Sequence, residues 1–405
     1  MDNEPLATPA PEIKPWTELG LKPETLQLIE QSGFATPTPV QSQAIPRVLA
    51  GEDLIVSAQT GTGKTATFGY PMIERIRGRK GTYGLVLAPS REIALQTQEF
   101  FVKHKETTGI HSVSLIGGTE LKADEKELAS YPQIIVATPG RLCDHIERGN
   151  VWLEYVEVLV LDEADRMLEM GFSVQVNKIL EQTTSSRQTL LFSATVPPEV
   201  DRLARKIMKN PGRIAVGKTS SAAKTVEQNF IFTDEDDKIT KLIKILNDET
   251  GTVFVFTRSK LGTAELWRRL RSRGYMDAGQ VHSDLRQIDR EGTLQDFKDG
   301  KIRVLIATDV VGRGIHVDNV AHVVNFDLPY EAEDYIHRIG RTGRAGESGR
   351  ATSLVTFRDR EVLRDIEKLI GRTIPRPTGD VGRASSSRPK KKRPKIVSSA
   401  VSNFN

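Results

Sequence analysis

Residues 53–76 read DLIVSAQTGTGKTATFGYPMIERI, and the order of elements in this stretch predicts the class of fold. A short apolar strand (53–56) runs into a glycine-rich loop (58–65), and helix formers mixed with apolar residues follow (66–76). A strand, a tight loop and a helix begin a βαβ unit, which builds parallel sheets covered by helices. The stretch therefore predicts an α/β fold.

The loop has the composition of a phosphate-binding loop. Its glycines allow backbone N–H groups to surround phosphate oxygens, and the start of the next helix adds the positive end of its dipole. Lys64 can reach terminal phosphates, and the Thr65 hydroxyl can bind Mg²⁺. The general pattern begins with glycine where this chain has Ala58, and an incidental glycine turn is the alternative. The predicted contacts are Ala58, Gln59, Thr60, Gly61, Thr62, Gly63, Lys64 and Thr65.

An acidic pair follows a second apolar run. Residues 158–161 lead directly into Asp162, Glu163, Ala164 and Asp165. At the end of a strand beside a phosphate loop, the Asp162 carboxylate is placed to hold Mg²⁺, usually through water. Glu163 is then placed to polarise an attacking water molecule. An acidic helix cap is the alternative, and the phosphate loop favours the metal site.

The alternation of strands and helices continues in two series. Apolar runs without strict alternation are typical of strands buried on both faces. They predict strands at 53–56, 84–87, 112–116, 133–136, 157–161 and 188–192, then at 228–232, 252–256, 303–306, 321–325 and 352–356. We expect a disordered arm (1–15), a first domain (16–217), a small polar linker (218–225), a second domain (226–374) and a basic disordered tail (375–405).

Composition limits the class of protein. The chain has 405 residues and one cysteine, Cys143, so it cannot form an internal disulfide bond. We expect a cytoplasmic protein without membrane contact, because no signal peptide opens the chain and its apolar runs are too short to span a bilayer. The net charge is +4, but residues 372–405 contain nine lysines and arginines and one acid. The rest is mildly acidic, so a nucleic-acid contact must be local.

From Trp16 to about Pro375 the chain resembles the DEAD-box family of superfamily 2 helicases, which the tetrapeptide Asp162 to Asp165 names. The family's motifs occur in order, which is more specific than any one motif. The resemblance implies two tandem RecA-like domains, each a parallel sheet flanked by helices. It also implies an RNA-stimulated ATP hydrolase with ATP and Mg²⁺ as cofactors and RNA as partner.

Residues 33–41 resemble the family's Q motif. By this resemblance Gln41 reads the adenine edge and Phe34 stacks on the ring. A side-chain amide both donates and accepts, as adenine requires, and an aromatic ring offers a flat apolar face. Without the resemblance, a proline-rich turn capping a helix at 40–49 is the favoured interpretation.

The second domain resembles the family in the motifs that complete the nucleotide site. By resemblance Asp309 contacts the ribose, while Arg341 and Arg344 reach the γ-phosphate across the cleft, with Arg344 as an arginine finger. The alternative for the arginines is a solvated basic helix face, which Gly340 and Gly343 suit poorly. The catalytic residues implied are Lys64, Asp162, Glu163, Arg341 and Arg344.

Several loops that follow predicted strands resemble the family's RNA-binding motifs. Such loops form the binding edge of a parallel sheet, and backbone N–H groups, hydroxyls and arginines can hold phosphates there. Ser90 and Ile93 depart mildly from the usual motif, and an ordinary strand-to-helix turn is the alternative for each loop. The RNA-binding residues implied are Pro89, Arg91, Gly117, Gly118, Thr138, Arg141, Arg290 and Thr308.

A third group of residues resembles the family's coupling elements. Ser193 and Thr195 match the motif that links ATP hydrolysis to strand separation through hydrogen bonds to the acidic motif, and His337 joins them. A serine helix cap is the alternative. The resulting hypothesis is a monomeric clamp that closes on ATP and RNA, then bends and locally unwinds short duplexes or remodels RNA–protein complexes.

Two other classes of protein remain open: a DNA-directed ATPase or translocase, and a non-hydrolysing RNA-binding scaffold. Ribonucleoprotein or RNA-decay partners are expected for the helicase. The basic run at 388–395 adds salt-sensitive RNA affinity in this hypothesis. It also resembles a nuclear localisation run, and a solubilising tail is a further alternative.

Overall fold

The computed structural model describes residues 13–58, 62–216, 226–309, 320–343 and 349–376. The predicted site residues Gln59, Thr60, Gly61 and Arg344 lie outside these ranges. Most of the predicted arm (1–12), the linker and the tail from residue 377 lie outside them as well. In the described residues, two parallel sheets flanked by helices confirm the predicted α/β class.

The first sheet has seven parallel strands. They are β1 (Leu54–Ala58), β2 (Gly84–Leu87), β3 (Ser112–Leu115), β4 (Ile134–Ala137), β5 (Val158–Leu161), β6 (Gln188–Ser193) and β7 (Gly212–Val216). Their order across the sheet is β3-β4-β2-β5-β6-β1-β7.

The second sheet has six parallel strands. They are β8 (Val226–Phe232), β9 (Val253–Thr257), β10 (Ala278–Val281), β11 (Val304–Thr308), β12 (His322–Asn325) and β13 (Gly349–Val355). Their order is β10-β11-β9-β12-β13-β8.

Helices connect the strands in both domains. In the first domain they are α1 (Pro23–Gln31), α2 (Pro39–Leu49), α3 (Lys64–Ile76), α4 (Arg91–Lys103), α5 (Lys105–Thr108), α6 (Leu121–Leu128), α7 (Pro139–Glu147), α8 (Ala164–Glu169), α9 (Ser173–Glu181) and α10 (Pro198–Ile207). In the second they are α11 (Lys238–Asp248), α12 (Lys260–Arg271), α13 (Gln287–Lys298), α14 (Ala332–Ile339) and α15 (Arg360–Ile370). No helix in these ranges is long and apolar enough to cross a membrane.

Strand β5 shows why the apolar runs do not alternate. All four of its residues are buried. Val158 and Val160 belong to one hydrophobic core of the first domain, together with residues of α2 and α3. Leu159 and Leu161 belong to a second core, which contains residues of α7 and α9. Because helices cover both faces of the sheet, every position along a central strand is removed from water.

Two strands were not predicted, and both carry a weak apolar signal. β7 is the edge strand beside β1, and its Arg213 and Ala215 are exposed. β10 is the edge strand beside β11 and reads Ala278-Gly279-Gln280-Val281. Edge strands need fewer apolar residues than central ones, so composition alone does not separate them from loops.

The carboxyl ends of the parallel strands place the predicted motifs at one edge of each sheet. In the first sheet Ser57 lies opposite Ser193, and β6 separates β1 from β5, so the loops that follow these three strands are neighbours. In the second sheet Thr308 lies opposite Thr257. Hydrogen bonds and an ion pair between the domains connect these two edges.

A buried ion pair joins two loops at the carboxyl edge of the second sheet. Lys238 begins α11 after β8, and Asp327 follows β12. The Lys238 ammonium is 2% exposed and lies 2.7 Å from an Asp327 carboxylate oxygen. A buried charge requires such a partner, so this pair fixes the two loops relative to each other.

Candidate nucleotide and nucleic-acid site

The described end of the phosphate loop enters α3 through a glycine. Gly63 has φ 85°, the left-handed conformation, and a Cβ atom there would lie 2.4 Å from Gln41 Nε2. The left-handed backbone therefore favours glycine, and a Cβ atom would also displace the Gln41 amide. Lys64 is buried, and its ammonium donates to the Ala58 carbonyl at 3.1 Å. The lysine therefore reaches the last residue of β1, where the phosphate loop begins.

Two residues of the predicted adenine motif are bound to the phosphate loop. The Thr38 hydroxyl donates to the Thr62 carbonyl at 2.8 Å, and the Gln41 amide nitrogen donates to the Gly63 carbonyl at 3.2 Å. The Gln41 amide oxygen accepts from Thr38 N–H, which closes a capping box at the start of α2. The helix cap and the contact with the nucleotide loop are thus both present. The Gln41 amide nitrogen has a second N–H and its oxygen a second lone pair, so an adenine contact does not require either bond to break.

Phe34 presents an open ring near the start of α2. Its side chain is 47% exposed, although phenylalanine is usually buried. The Trp16 indole N–H donates to the Phe34 carbonyl at 3.0 Å and holds the loop. An exposed ring on a fixed loop is suited to stacking on a flat aromatic ligand, and the contact with adenine stays a prediction.

Asp162 is a buried carboxylate with an open coordination position. It is 5% exposed, and within the described residues its Oδ1 atom has no hydrogen-bond partner. Burial raises the pKa of Asp162 to about 6, although the Lys64 ammonium opposes the shift. A buried carboxylate oxygen without a protein donor fits a cation. Within the described ranges no group of three His, Cys, Asp or Glu side chains is arranged to hold a metal ion. A Mg²⁺ ion at Asp162 and Thr65 would therefore complete its shell with phosphate and water oxygens.

We expect Asp162→Asn to stabilise the Mg²⁺-free protein at neutral pH. Because burial raises the pKa of Asp162 from the ordinary 3.8 to about 6, ionisation of this carboxylate lowers the free energy of unfolding by about 3 kcal/mol. The folded state binds the proton more tightly than the unfolded state. The cost is therefore complete above the folded pKa and disappears as the pH falls towards the unfolded value.

Thermal unfolding in a chelating buffer measures this effect. The Asn variant should melt at a higher temperature than the parent chain near pH 7, and the two should converge near pH 4. A difference of equal size at both pH values would contradict the proposed origin.

Glu163 has a strained backbone at the entrance to the interdomain cleft. Its φ of 52° and ψ of 54° place a non-glycine residue in the left-handed region. Such conformations cost free energy and concentrate at functional sites. The side chain lines a cleft of about 510 Å³ together with Thr195, His337 and Arg341. The predicted base thus faces a predicted arginine from the other domain.

The predicted coupling residues form a hydrogen-bonded group around Asp165. One Asp165 carboxylate oxygen accepts from the Thr195 N–H at 2.9 Å, from the Thr195 hydroxyl at 3.0 Å and from Ala194 N–H at 3.1 Å. The Ser193 hydroxyl accepts from Asp165 N–H. Burial opposes ionisation of Asp165, but these hydrogen bonds hold its pKa below the ordinary value. The carboxylate is therefore an ionised link between the loops after β5 and β6.

Asp309 is held by an arginine that the sequence analysis did not single out. Arg338 is fully buried, and it donates two hydrogen bonds to the Asp309 carboxylate, at 2.5 and 2.7 Å. From the first domain, Arg166 donates to the Asp309 carbonyl at 3.0 Å. Asp309, predicted to contact ribose, thus also joins the two domains. Arg338 stands three residues before Arg341 in the same basic run, which was the available signal.

His337 lies on α14, and Arg341 lies in the turn that follows this helix. Arg341 is 1% exposed, and both residues line the cleft opposite Glu163. A guanidinium buried at this position is favourable for a highly charged phosphate group. The second predicted arginine, Arg344, lies outside the described residues.

The predicted RNA loops of the first domain meet at Arg91. Its guanidinium lies against Gly117 and Gly118, and a Cβ atom at Gly118 would lie 2.4 Å from it. Across the cleft, Arg91 approaches the Gln287 amide oxygen at 3.5 Å. The next residue, Glu92, forms an ion pair with Arg290, and both side chains are at least 94% buried. Two predicted RNA-binding residues, Arg91 and Arg290, are therefore positioned by contacts between the domains.

The Arg141 guanidinium is bound to other residues of the first domain. It donates to the Asp124 carboxylate at 2.6 Å and to the Thr119 carbonyl at 2.7 Å, and it is 8% exposed. Its position fixes the loop after β3, where Thr119 lies. The buried residues Pro89, Thr138 and Thr308 each stand at the carboxyl end of a strand or directly after it.

Comparison with known proteins connects this geometry to a family. The model described as DEAD/DEAH box helicase matches residues 38–203, and the model described as helicase conserved C-terminal domain matches residues 237–346. A protein named ATP-dependent RNA helicase CshA, from Listeria monocytogenes, is 42% identical over 355 residues, which cover 87% of this chain and 68% of that one.

Two solved structures resemble this chain across both domains. S. cerevisiae Dbp5 bound to RNA and ADP BeF3 has a TM-score of 0.81 at 33% identity, covering 89% of this chain and 94% of that one. Mss116p bound to ssRNA and AMP-PNP has a TM-score of 0.81 at 29% identity, covering 90% and 79%. The relative position of the two domains is therefore similar to that in these two complexes.

Proposed function

This chain belongs to the DEAD-box family of ATP-dependent RNA helicases, and from that membership we propose a two-domain clamp that bends and locally unwinds RNA. The observation that carries the proposal is the division of both sites between the domains. Glu163 faces Arg341 across the cleft, and Glu92 pairs with Arg290. Closure therefore assembles the nucleotide site and the RNA surface together.

The chain's own residues divide the work of ATP hydrolysis. Lys64 and the loop backbone hold the phosphates, and Arg341 binds the γ-phosphate from the second domain. Glu163 accepts the proton of the attacking water. When bound at Asp162 and Thr65, Mg²⁺ neutralises charge on the phosphate oxygens. The hydrogen bonds between Asp165 and Thr195 transmit the effect of ATP hydrolysis from the loop after β5 to the loop after β6.

The RNA surface is composed of backbone-binding groups. Arg91, the glycines at 117 and 118 and the strand-end residues Thr138 and Thr308 provide guanidinium, N–H and hydroxyl donors. Such donors bind phosphate and sugar without reading bases, so we propose little sequence specificity. Arg141 acts here through the loop that it positions. We propose that the protein acts as a monomer. We also propose that it acts in the cytoplasm, where RNA and ATP are both present.

Removal of the hydroxyls around Asp165 is expected to uncouple hydrolysis from unwinding. The double variant Ser193→Ala, Thr195→Val loses two hydrogen bonds but keeps the Thr195 N–H bond to the carboxylate. Hydrogen bonds to charged groups contribute about 1.5–3 kcal/mol, so we expect unwinding to fall by about tenfold or more. RNA-stimulated ATPase should change little.

Strand displacement and ATPase assays on the same preparations separate the two activities. Thr184→Val is the control, because among the described residues its hydroxyl bonds to the exposed Ser186, far along the chain from Asp165. Equal loss of ATPase and unwinding would show that these hydroxyls act in catalysis and not in coupling.

The steady-state ATPase rate without nucleic acid, with single-stranded RNA and with DNA of the same sequence tests the proposed function. Strong stimulation by RNA and weak stimulation by DNA is the expected result and assigns the 2′-hydroxyl to the contact surface. Equal stimulation by both would favour a DNA-directed translocase. Absence of hydrolysis under all conditions would leave an RNA-binding scaffold.

A further inference from the structure

Two large aromatic rings lie exposed at the carboxyl edge of the second sheet. Tyr330 follows β12 and is 71% exposed, and Phe357 follows β13 and is 55% exposed. Arg258 lies over the Tyr330 ring at 5.3 Å, and Arg360 lies over the Phe357 ring at 3.8 Å. One face of each ring thus already binds a cation. An exposed ring face attracts further cations through its quadrupole.

Four loops of this edge form one surface. Lys238 contacts both Glu235, after β8, and Asp327, after β12. Arg258, after β9, donates to the Asp359 carboxylate at 2.7 Å and so reaches the turn that contains Phe357. These contacts hold the loops together. We call the surface made by residues 234–237, Tyr330, Glu331, Glu333 and Phe357 the aromatic edge; Glu331 and Glu333 lie at its border with the interdomain cleft, which they also line.

The aromatic edge is acidic. Its six carboxylates are exposed, while Arg358 and Arg360 are the exposed arginines of the adjoining turn, which leaves an excess of four negative charges. The carboxylates are Asp234, Glu235, Asp236, Asp237, Glu331 and Glu333. RNA phosphates are repelled by such a surface, whereas a lysine- and arginine-rich chain is attracted. The charge thus selects a cationic polypeptide.

The chain carries such a segment within reach. Residues 388–395 read RPKKKRPK, six positive charges in eight residues. The last described residues are tied to α15, because Glu367 accepts from Ile374 N–H at 2.7 Å and from Arg376 at 3.0 Å. From Glu367 to Arg360, beside Phe357, the helix rises about 10 Å. The twelve residues from 376 to 388 can span up to about 40 Å.

We propose that residues 388–395 dock on the aromatic edge of their own second domain, and that RNA binding releases them. A covalently attached segment experiences a high effective concentration of its site, so modest charge and cation–π contacts suffice. RNA is a stronger polyanion and competes for the same lysines. The basic tail then reaches RNA only after displacement from the edge; this second step rests on the proposed RNA binding, but the docking does not.

Zero-length carbodiimide cross-linking of the full chain tests the docking directly. Without RNA and at low ionic strength, we expect lysines 390–392 and 395 to join carboxylates of the aromatic edge, as identified by mass spectrometry. A uridine homopolymer or high salt should remove these links. The triple variant Asp234→Asn, Asp236→Asn, Asp237→Asn should also lack them, while Glu235 keeps its contact with Lys238. Links spread equally over other acidic surfaces would overturn the proposal.

RNA affinity provides the second readout. The triple variant should bind the uridine homopolymer about threefold to tenfold more tightly, as expected when a competing contact holds most of the tail. Replacement of residues 390–393 by glutamine should abolish this difference. The triple variant Glu125→Gln, Glu127→Gln, Glu154→Gln, which removes three exposed carboxylates of the first domain, is the charge-matched control. Equal gains in both variants would mean general electrostatic repulsion and no docking. The cross-links need no ATP, so their loss is distinguishable from failure of the helicase proposal.

Discussion

Glu163→Gln is expected to lower RNA-stimulated ATP turnover by about 10³-fold, within the range for loss of a general base. ATP affinity should change little, because glutamine keeps the size and polarity of the side chain. Glu163 lines the same cleft as Arg341. It is the N-cap residue of α8, but its backbone is left-handed and its side chain makes no capping hydrogen bond. Steady-state ATPase and binding of a fluorescent ATP analogue measure the two effects separately.

Glu169→Gln is the matched control for this prediction. Glu169 lines the same cleft at the other end of α8, so it tests whether any lost carboxylate produces the same effect. We expect nearly normal turnover for it. If Glu163→Gln hydrolyses ATP as fast as the parent chain, another group must accept the proton.

The second large effect is expected at the ion pair between Glu92 and Arg290. Both side chains are buried where the domains meet. Arg290→Met leaves the Glu92 charge without a partner, and removal of one member of a buried pair costs about 3–5 kcal/mol. The charge is hydrated when the domains separate, so the cost applies to closure. We expect RNA-stimulated kcat/KM to fall by about 100-fold or more.

A charge reversal separates domain closure from RNA contact. The double variant Glu92→Arg, Arg290→Glu restores the pair and should recover much of the closure, measured by energy transfer between labels on the two domains. Asp289→Asn is the control, since it breaks the exposed Arg286–Asp289 pair at the start of the same helix. If Arg290→Met closes normally with ATP and RNA, the ion pair does not control the domains.

Much of this architecture is readable from local sequence. The strand of residues 158–161 is apolar at every position because helices cover both faces of the sheet, and this property predicted the parallel sheets. The strands β7 and β10 lack this continuous apolar pattern and were not predicted, because edge strands can contain polar residues. The motif resemblance singled out Lys64, Asp162 and Arg341, but it carried no information about their hydrogen bonds.

Contacts between residues far apart in sequence were the part that could not be predicted. Arg141 was predicted to bind phosphate, and its bond to Asp124 was not anticipated, because this partner comes from a helix that the sequence pattern did not connect to it. Arg338 was passed over, yet it holds Asp309. Glu92 carried no predicted role, because its partner lies 198 positions away in the other domain. Side-chain partners follow from tertiary packing, which periodicity does not encode.

The buried Lys238–Asp327 pair bears on how many nucleotides one chain binds. In each sheet a lysine begins the helix after one strand and an aspartate follows the strand two places away, as β1 and β5 show in the first domain and β8 and β12 in the second. Among the residues that the structure describes, Asp162 in the first domain keeps an oxygen without a protein partner, whereas in the second domain the lysine and aspartate neutralise each other at 2.7 Å. We therefore expect the two similar layouts to accept a single nucleotide. The free energy of one ATP molecule then sets the upper limit for the RNA structure disrupted in each closure.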